Sequence, residues 1–286
     1  MRLGLIQVKQ NGLYDFGGSE PVSMEGAGCL QQEMLEQNYR LIGEAGRQQC
    51  DLIVTTEAIN FCGQPKRLEK GWERLVADSQ ERVLNRLSRL AVQEGSYLVA
   101  GMYLVNPKGG MTNSAVVFNP KGEKIGVYDK IHLAGDEKSY LRPGNRPLLF
   151  DTPFGRIGVC ICWDAQFPET YRLMALEGAH LAVCPTWGWE GIYGHARAYE
   201  NGIYVASAMS VPYKGGITGM RTPSEVIGPD GSLLFRASKD EAQLLTGVFD
   251  PTRMRELWRL RMGDRRPECY GDLVNAVKTD VIHSCL

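Results

Sequence analysis

The cysteine at position 162 is the side chain of this sequence best placed to act as a nucleophile. It ends a strand-like apolar run, and Asp164 and the Phe167-Pro168 start of a helix follow it. A strand-to-helix turn presents a side chain near backbone N–H groups and a helix N-terminus, which lowers a thiol pKa. The alternative is a buried structural cysteine, which describes most free cysteines. We expect that structural role for Cys160, which lies inside the strand.

Two other strand ends carry ionisable side chains that could assist a nucleophile. The run Asp51–Thr55 ends beside Glu57, and Lys130 follows a predicted hairpin. Taken singly, a carboxylate at a strand end is usually solvated, and the lysine is unremarkable. Catalytic residues of α/β folds gather at the ends of several strands. The pattern therefore permits a shared site of Cys162, Glu57 and Lys130 without requiring one.

Strand-like apolar runs alternate with helical patterns along the whole chain. Helices are indicated where apolar residues recur every three or four positions, at Leu30–Arg47, Gln80–Gln93, Pro168–Glu177, His195–Asn201 and Thr252–Arg261. The predicted strands are Leu3–Val8, Leu52–Thr55, Tyr97–Leu104, Ser114–Phe118, Arg156–Ile161, Leu181–Cys184, Ile203–Ala208, Glu225–Ile227, Leu233–Phe235 and Leu244–Phe249.

The order of these elements predicts one α/β domain over residues 1–286. Turn signals at Asn119–Gly122 and Pro229–Gly231 predict hairpins, and the Gly- and Ser-rich stretch Asn11–Gly28 predicts a loop. No Pro/Ser-rich linker separates the strands. Several strands are nearly continuous apolar runs, as expected when both faces of a sheet are covered. A layered α/β sandwich fits this pattern, and a barrel remains the alternative.

The composition excludes several classes of protein. The 286 residues are 43% hydrophobic and 23% charged, with a net charge of −1. This balance lacks the excess of positive charge that is typical of proteins that bind nucleic acid or an anionic membrane. The eight cysteines form no CxxC pair. The first residues lack the apolar core and cleavage site of a signal peptide, and no apolar run is long enough to span a bilayer. We therefore expect a cytoplasmic protein.

Other hydrolytic chemistries lack their motifs in this sequence. The histidines His132, His180, His195 and His283 have no HExxH or i,i+4 spacing, so we expect no metal site. The GxSxG motif of serine hydrolases is absent. The segment Gly215–Gly219 lacks the lysine of a phosphate-binding loop, and we interpret it as a plain loop.

Taken together, three segments resemble the nitrilase superfamily of carbon–nitrogen hydrolases. They are LIVTTE with Glu57, YDKIHL with Lys130, and GVCICWDAQFPE with Cys162, in the chain order of that family. The resemblance continues through YLRPG, EGAHLAVCPTWGW, HARAYENGIYVASAM, SEVIGPDGSLL and RRPECYGDL, so that it covers nearly the whole chain. One departure is Thr56, because the family usually has proline before the glutamate.

The resemblance implies a single-domain four-layer αββα sandwich without a cofactor or metal. It implies that Glu57, Lys130 and Cys162 are catalytic, and that a second acidic residue, matched here by Glu137, assists them. Asp136 is adjacent and is the alternative for that role. The family usually forms homo-oligomers, so a homodimer or higher homo-oligomer is expected, with residues 263–286 as a tail used in its contacts.

The resemblance also implies the reaction. True nitrilases typically carry CWE after the nucleophile, whereas this chain has CWD followed by FPE, as in the amidase and N-carbamoyl-amine branches. The segment EKSYLRPG resembles N-carbamoylputrescine amidases and related carbamoylases. We expect hydrolysis of a linear amide or N-carbamoyl amine through a thioester, with release of ammonia. The alternatives are a nitrilase acting on nitriles, an acyltransferase of the same family, or an inactive binding protein; the last is disfavoured because all three residues are present.

Four aromatic residues lie nearest these motifs in sequence. Trp163, Trp187 and Phe61 are the candidates for substrate contact, and Trp189, which follows the same strand end as Trp187, could also line the pocket. Core packing is an equally good explanation for each of them.

Overall fold

The protein forms two six-stranded sheets in a computed structural model that describes residues 1–14, 21–61, 71–253 and 255–275. The first sheet has the strand order β12-β1-β2-β3-β4-β5, and the second has the order β11-β10-β9-β8-β7-β6. The strands are β1 Arg2–Gln7, β2 Leu52–Val54, β3 Tyr97–Val105, β4 Met111–Phe118, β5 Lys124–Asp129, β6 Leu148–Thr152, β7 Gly155–Val159, β8 Leu181–Thr186, β9 Tyr204–Met209, β10 Glu225–Ile227, β11 Leu233–Arg236 and β12 Gln243–Val248.

The helices cover the outer faces of both sheets. They are α1 Met24–Arg47, α2 Trp72–Glu94, α3 Pro168–Leu176, α4 Gly191–Asn201 and α5 Arg255–Gly263. Short 3-10 turns lie at Gly12–Tyr14, Gly135–Ser139, Cys162–Gln166, Pro267–Cys269 and Gly271–Val274. No helix of the described ranges combines the length and the apolar character needed to cross a membrane.

Three apolar layers hold the elements together. Side chains of α1 and α2 pack on the first sheet, and those of α3 and α4 pack on the second. A third layer lies between the sheets, where residues of the first sheet such as Leu5 and Val99 meet residues of the second such as Val159 and Val183. The layers therefore follow the order helices, sheet, sheet, helices, and the predicted αββα sandwich is confirmed.

The alternating pattern of each strand explains this layering. In β1, Leu3 and Leu5 face the layer between the sheets, whereas Ile6 faces the helices. Successive strand side chains point to opposite faces, so a strand buried on both faces must be apolar at nearly every position. The central pairings β1–β2–β3 and β7–β8–β9 are parallel, and the outer pairings are antiparallel.

Several element boundaries differ from the sequence prediction. The first helix begins at Met24 rather than Leu30, because the side chain of Ser23 accepts a hydrogen bond from the backbone N–H of Gly26 and caps the helix. The predicted loop is therefore wrong for residues 24–28, and residues 15–20 lie outside the described part of the chain. The second helix begins at Trp72 rather than Gln80, and strands β5 and β6 were not among the predicted strands.

Candidate active site

A sharp turn after β7 places Cys162 at the end of the second sheet. Cys162 has a φ of 44°, in the left-handed region that side chains with a Cβ rarely adopt. The 3-10 turn Cys162–Gln166 follows at once, and Pro168 opens α3. Strained backbone of this kind costs on the order of 1–3 kcal/mol and concentrates at functional positions. The strand-to-helix turn expected from the sequence is confirmed.

The sulfur of Cys162 lies among backbone and ionisable groups from other strands. The backbone N–H of Trp187, which follows β8, donates a hydrogen bond to it. Burial and the charge of Glu57 raise the pKa of the thiol to about 12, although the ammonium of Lys130 acts in the opposite direction. The lowered thiol pKa expected for this turn is therefore wrong, because burial outweighs the nearby N–H groups. The resting cysteine is a thiol, and it needs a base to become a nucleophile. Cys160, by contrast, is fully buried and donates to the Tyr171 hydroxyl.

Glu57 is held by the neighbouring strand β3. The backbone N–H of Gly101 donates to Oγ1 of Thr55, and the N–H of Ile59 donates to the Gly101 carbonyl oxygen. A Cβ atom added at Gly101 would lie 2.5 Å from the Thr56 carbonyl oxygen and 2.9 Å from the Glu57 Cα atom. Only glycine lets the backbone that carries Glu57 approach β3 so closely.

Lys130 joins the two glutamates that the sequence singled out. Its Nζ atom lies 3.0 Å from Oε1 of Glu57 and 2.8 Å from Oε2 of Glu137, and its side chain is 1% exposed. The backbone N–H of Ala134 also donates to Oε2 of Glu137 at 2.7 Å. Asp136, the alternative acidic residue, is exposed. The geometry therefore places Glu137, and not its neighbour, beside the lysine.

Asn113, which is not among the site residues predicted from the sequence, completes this network. Its Nδ2 group lies 2.7 Å from Oε1 of Glu57 and 3.1 Å from Oε1 of Glu137. The backbone carbonyl oxygen of Asn113 also accepts a hydrogen bond from the backbone N–H of Lys130. The feature of the sequence that could have indicated Asn113 is the run of three polar residues from Thr112 to Ser114. All three lie at buried positions of β4.

The charges of the network determine the protonation of Lys130. Burial alone would lower its pKa, but the negative charges of Glu57 and Glu137, and that of Cys162 when it ionises, raise the pKa well above 10.5. The ammonium is therefore retained across the physiological range. Burial raises the pKa of Glu57 above 4.5, with Glu137 acting in the same direction and Lys130 opposing them. The lysine thus supplies a fixed positive charge next to the thiol.

Glu57 divides its two oxygens between different roles. Oε1 accepts the hydrogen bonds from Lys130 and Asn113, whereas the buried Oε2 has no hydrogen-bond partner among the described residues. A buried carboxylate oxygen without a hydrogen-bond donor lowers the stability of the fold, and a catalytic role is one explanation for such a group. Because the charge of Glu57 acts on the thiol of Cys162, this oxygen is available to take a proton in that region.

A second buried carboxylate links the loop of Lys130 to the turn of Cys162. Asp164 is fully buried, and Oδ2 accepts hydrogen bonds from the Tyr128 hydroxyl at 2.6 Å and the Ile161 backbone N–H at 3.0 Å. Oδ1 lies 2.9 Å from both the backbone N and Nδ1 of His132. In the sequence, Asp164 is recognisable only as a polar residue after the strand, with no sign of this role.

The predicted substrate-binding residues occupy three different environments. Trp163, next to the nucleophile, is 40% exposed. Trp187 is partly buried and contributes the N–H that reaches the sulfur. Phe61 is fully buried against Trp72 and Tyr103, which is the core-packing alternative. Trp189 is also buried, and its indole N–H donates to Glu225.

No group of three or more His, Cys, Asp and Glu side chains in the described ranges is arranged to hold a metal ion. The titratable groups of the site instead contact one another directly, through the lysine that lies between the two glutamates.

Comparison with known sequences places this arrangement in a family. The model of the carbon–nitrogen hydrolase family matches residues 23–259. The chain is 29% identical to an omega-amidase NIT2 of Xenopus tropicalis, over 77% of this chain and 84% of that protein. It is 30% identical to the human omega-amidase NIT2, over 72% and 79% of the two chains. A hydrolase of Pseudomonas protegens is 32% identical over 66% of this chain and 69% of that protein.

Solved structures agree with the fold. A carbon–nitrogen hydrolase from Helicobacter pylori G27 superposes with a TM-score of 0.78 at 24% identity, covering 96% of this chain and 98% of that one. An amidase from Nesterenkonia sp. superposes with a TM-score of 0.75 at 25% identity, covering 96% of each chain. A variant of the Nesterenkonia sp. AN1 amidase carries the acetamide moiety of fluoroacetamide on its active-site cysteine. The fold, the family match over most of the chain and these likenesses show that this protein is a carbon–nitrogen hydrolase of the nitrilase superfamily.

Proposed function

We propose that this enzyme hydrolyses a linear amide or an N-carbamoyl amine through a thioester on Cys162. The observation that carries the proposal is the contact of Lys130 with both Glu57 and Glu137. These groups lie beside the thiol of Cys162, which stands at the sharp turn after β7. Omega-amidase and amidase relatives support amide hydrolysis. The segment EKSYLRPG supports the N-carbamoyl alternative.

The first half of the reaction forms the thioester. Oε2 of Glu57 takes the proton of the Cys162 thiol while the sulfur bonds to the carbonyl carbon. The negative charge that develops on the carbonyl oxygen is stabilised by the ammonium of Lys130 and the backbone N–H of Trp163, and one such donor is typically worth about 3 kcal/mol of barrier. The carbon–nitrogen bond then breaks, and Glu57 returns its proton to the nitrogen, which leaves as ammonia.

The second half of the reaction uses the same base on water. Glu57, again a carboxylate, accepts a proton from water while the oxygen attacks the thioester carbon. The carbon–sulfur bond breaks, the carboxylic acid leaves, and the proton held by Glu57 returns to the sulfur. An N-carbamoyl amine would instead give a carbamic acid, which loses carbon dioxide to leave the free amine.

Glu137 and Asn113 position the groups that react. Each binds Glu57 or Lys130 through the hydrogen bonds that surround the ammonium. They hold the lysine and the base in one geometry, and a reaction centre of this kind depends on such preorganisation. Trp163 and Trp187 flank the nucleophile and are the proposed substrate contacts, with Phe61 supporting the Glu57 segment from within the core.

A substrate screen tests the proposal directly. Purified enzyme is incubated with linear amides, N-carbamoyl amines, N-carbamoyl amino acids and nitriles, and ammonia is measured. We expect release from an amide or N-carbamoyl compound, loss of that release in Cys162→Ala, and retention in Cys29→Ala, which removes an exposed cysteine. Ammonia release from nitriles alone, or acyl transfer to an added amine in preference to water, would replace the proposal with those activities.

We also propose that the enzyme works as a cytoplasmic homo-oligomer. The helices α3, α4 and α5 pack against one another, and each of them exposes large apolar side chains: Leu173, Leu176, Ile192, Tyr199 and Leu260. Leu273 and Val274 of the tail are exposed as well, and residues 276–286 lie outside the described part. Free thiols at Cys29, Cys50, Cys160, Cys162, Cys184 and Cys269 suit a reducing compartment.

A further inference from the structure

Arg221 lies beside the nucleophile but has no part in the mechanism above. A Cβ atom added at Gly188 would lie 3.9 Å from Nη2 of Arg221 and 4.0 Å from Sγ of Cys162. The two atoms are therefore separated by at most the sum of these distances, about 8 Å. A small substrate bound at the sulfur would lie within reach of this guanidinium group.

The position of Arg221 is set by the same residue that binds the sulfur. Its guanidinium carbon lies 5.0 Å from the centroid of the Trp187 ring, while the Trp187 backbone N–H donates to Cys162. Its backbone pairs with that of Glu190 in an antiparallel bridge. A guanidinium group stacked on an aromatic ring keeps its in-plane N–H donors available for a planar anion.

No carboxylate of the described ranges forms an ion pair with Arg221. The ion pairs of the described residues do not include it, although other arginines form them: Arg74, Arg156, Arg197, Arg236 and Arg266. Glu190 is adjacent through the backbone bridge, but its side chain is hydrogen-bonded to Tyr193. A half-buried cation that pairs with none of the described carboxylates favours binding of an anionic ligand group.

We propose that Arg221 binds an anionic group, such as a carboxylate, at the end of the substrate remote from the scissile carbon–nitrogen bond. This inference rests on the proposed function and narrows its substrates to short acid amides and N-carbamoyl amino acids. A charge-assisted hydrogen bond of about 2.8 Å to the guanidinium and a near-attack contact of about 3 Å at the sulfur leave space for a short linker between the two groups.

The same geometry disfavours a substrate with a cationic end. An ammonium group within this distance of Arg221 would meet a like charge, and no described carboxylate pairs with that arginine to offset it. N-carbamoyl derivatives of diamines are therefore poorer substrates than those of amino acids. The choice between the two classes depends on the guanidinium charge rather than on the catalytic residues.

The test compares an acid amide with a neutral amide of the same shape. Succinamate and 4-methylpentanamide differ only in a carboxylate that replaces an isopropyl group. We measure kcat and KM for both with the wild-type enzyme, Arg221→Gln, Arg221→Lys and the control Arg259→Gln, which changes an exposed arginine of α5. A hydrogen-bonded charge pair of about 1.5–3 kcal/mol corresponds to about 10- to 100-fold in affinity.

The expected result is a preference for succinamate that falls about 10- to 100-fold in Arg221→Gln, mainly through KM. Arg221→Lys should recover part of it because the charge is retained, and Arg259→Gln should match the wild type. Equal losses on both amides in Arg221→Gln would mean that Arg221 only supports the fold, and a wild-type preference for the neutral amide would also overturn the inference.

A binding measurement separates this inference from the proposed function. Calorimetry of succinamate with Cys162→Ala, and with Cys162→Ala combined with Arg221→Gln, requires no turnover. Binding that is lost with the arginine supports the anion site even if the wild-type enzyme releases no ammonia from any amide. Absence of binding to Cys162→Ala, or equal binding to both variants, overturns the inference while the proposed hydrolysis can still hold.

Discussion

The hydroxyl of Tyr128 donates a hydrogen bond of 2.6 Å to the buried carboxylate of Asp164, which lies two residues after Cys162. Tyr128 belongs to β5, which leads directly into Lys130, so this bond joins the first sheet to the second. Together with the two bonds from His132 to the same carboxylate, this contact helps to fix the position of the lysine loop relative to the nucleophile. Burial of Tyr128 and the negative charge of Asp164 raise the pKa of the hydroxyl well above 10, so the hydroxyl remains a donor.

Asp164→Asn should weaken both the fold and the activity. Asp164 accepts four hydrogen bonds through its two oxygens, and an amide has only one accepting oxygen for them. Leaving buried donors unpaired costs about 2–4 kcal/mol. We expect a loss of that size in the free energy of unfolding, measured with urea, and a lower kcat. Glu81→Gln on the exposed surface of α2 is the control. Unchanged stability would show that the network does not link the sheets.

Gly101→Ala should displace the catalytic glutamate. The added methyl group would lie 2.5 Å from the Thr56 carbonyl oxygen and 2.9 Å from the Glu57 Cα atom, both of them backbone atoms. Overpacking of this kind costs about 1–3 kcal/mol, and the shift should lower kcat more than it raises KM. The matched control is Gly263→Ala, because a Cβ atom added there meets no described residue outside its own helical turn within 4 Å. Equal kinetics of the two variants would show that β3 does not position Glu57.

The pH profile of kcat/KM should report Glu57. Only the carboxylate form can take the thiol proton, so activity should fall as the pH decreases through the pKa of Glu57. Burial raises that pKa above 4.5, so the fall should begin at a higher pH than for an exposed glutamate. Glu57→Gln should lower kcat about 10²- to 10⁴-fold and abolish this limb of the profile.

The control for the pH experiment is Glu177→Gln at an exposed position after α3. It should keep the wild-type profile. A Glu57→Gln enzyme that retains the acidic limb would assign the titration to another group, and one with wild-type kcat would remove the base from the mechanism.

Ile192→Asp should dissociate the proposed oligomer. Ile192 lies with 67% of its surface exposed on α4, the helix that contacts both α3 and α5. A charge placed in a buried apolar interface is strongly unfavourable. Light scattering coupled to gel filtration should give the mass of a multimer for the wild-type protein and a smaller mass for the variant. The change Val92→Asp on the exposed face of α2 is the control. A wild-type protein of 31.8 kDa in solution would contradict the oligomer.

The regular elements could be predicted because their patterns are local. The period of two in β1 and the buried runs of β8 and β9 identify strands without tertiary information. The start of α1 was missed because Gly26 and Gly28 are poor helix formers, and the Ser23 cap and core packing outweigh that preference. The edge strand β6 was missed because its partly exposed residues give no clear alternation.

The site was only partly visible in the sequence. Cys162, Glu57 and Lys130 could be selected together through family resemblance, although the Glu57 and Lys130 partners are 73 positions apart. Asn113 and Tyr128 gave no comparable signal, because a polar residue within a buried strand is interpretable only when its partner across the sheet or between the sheets is known. The position of Arg221 beside Cys162 likewise depends on how the loops after β8 and β9 meet.

The most direct measurement of the central claim is the mass of the acyl-enzyme. The wild-type protein is mixed with an amide that it hydrolyses, quenched in acid during turnover, digested and examined by mass spectrometry. We predict an added mass equal to the substrate minus ammonia on the peptide that contains Cys162, and neither adduct nor turnover in Cys162→Ala. Turnover by Cys162→Ala, or an acyl group on any other residue, would contradict the thioester mechanism.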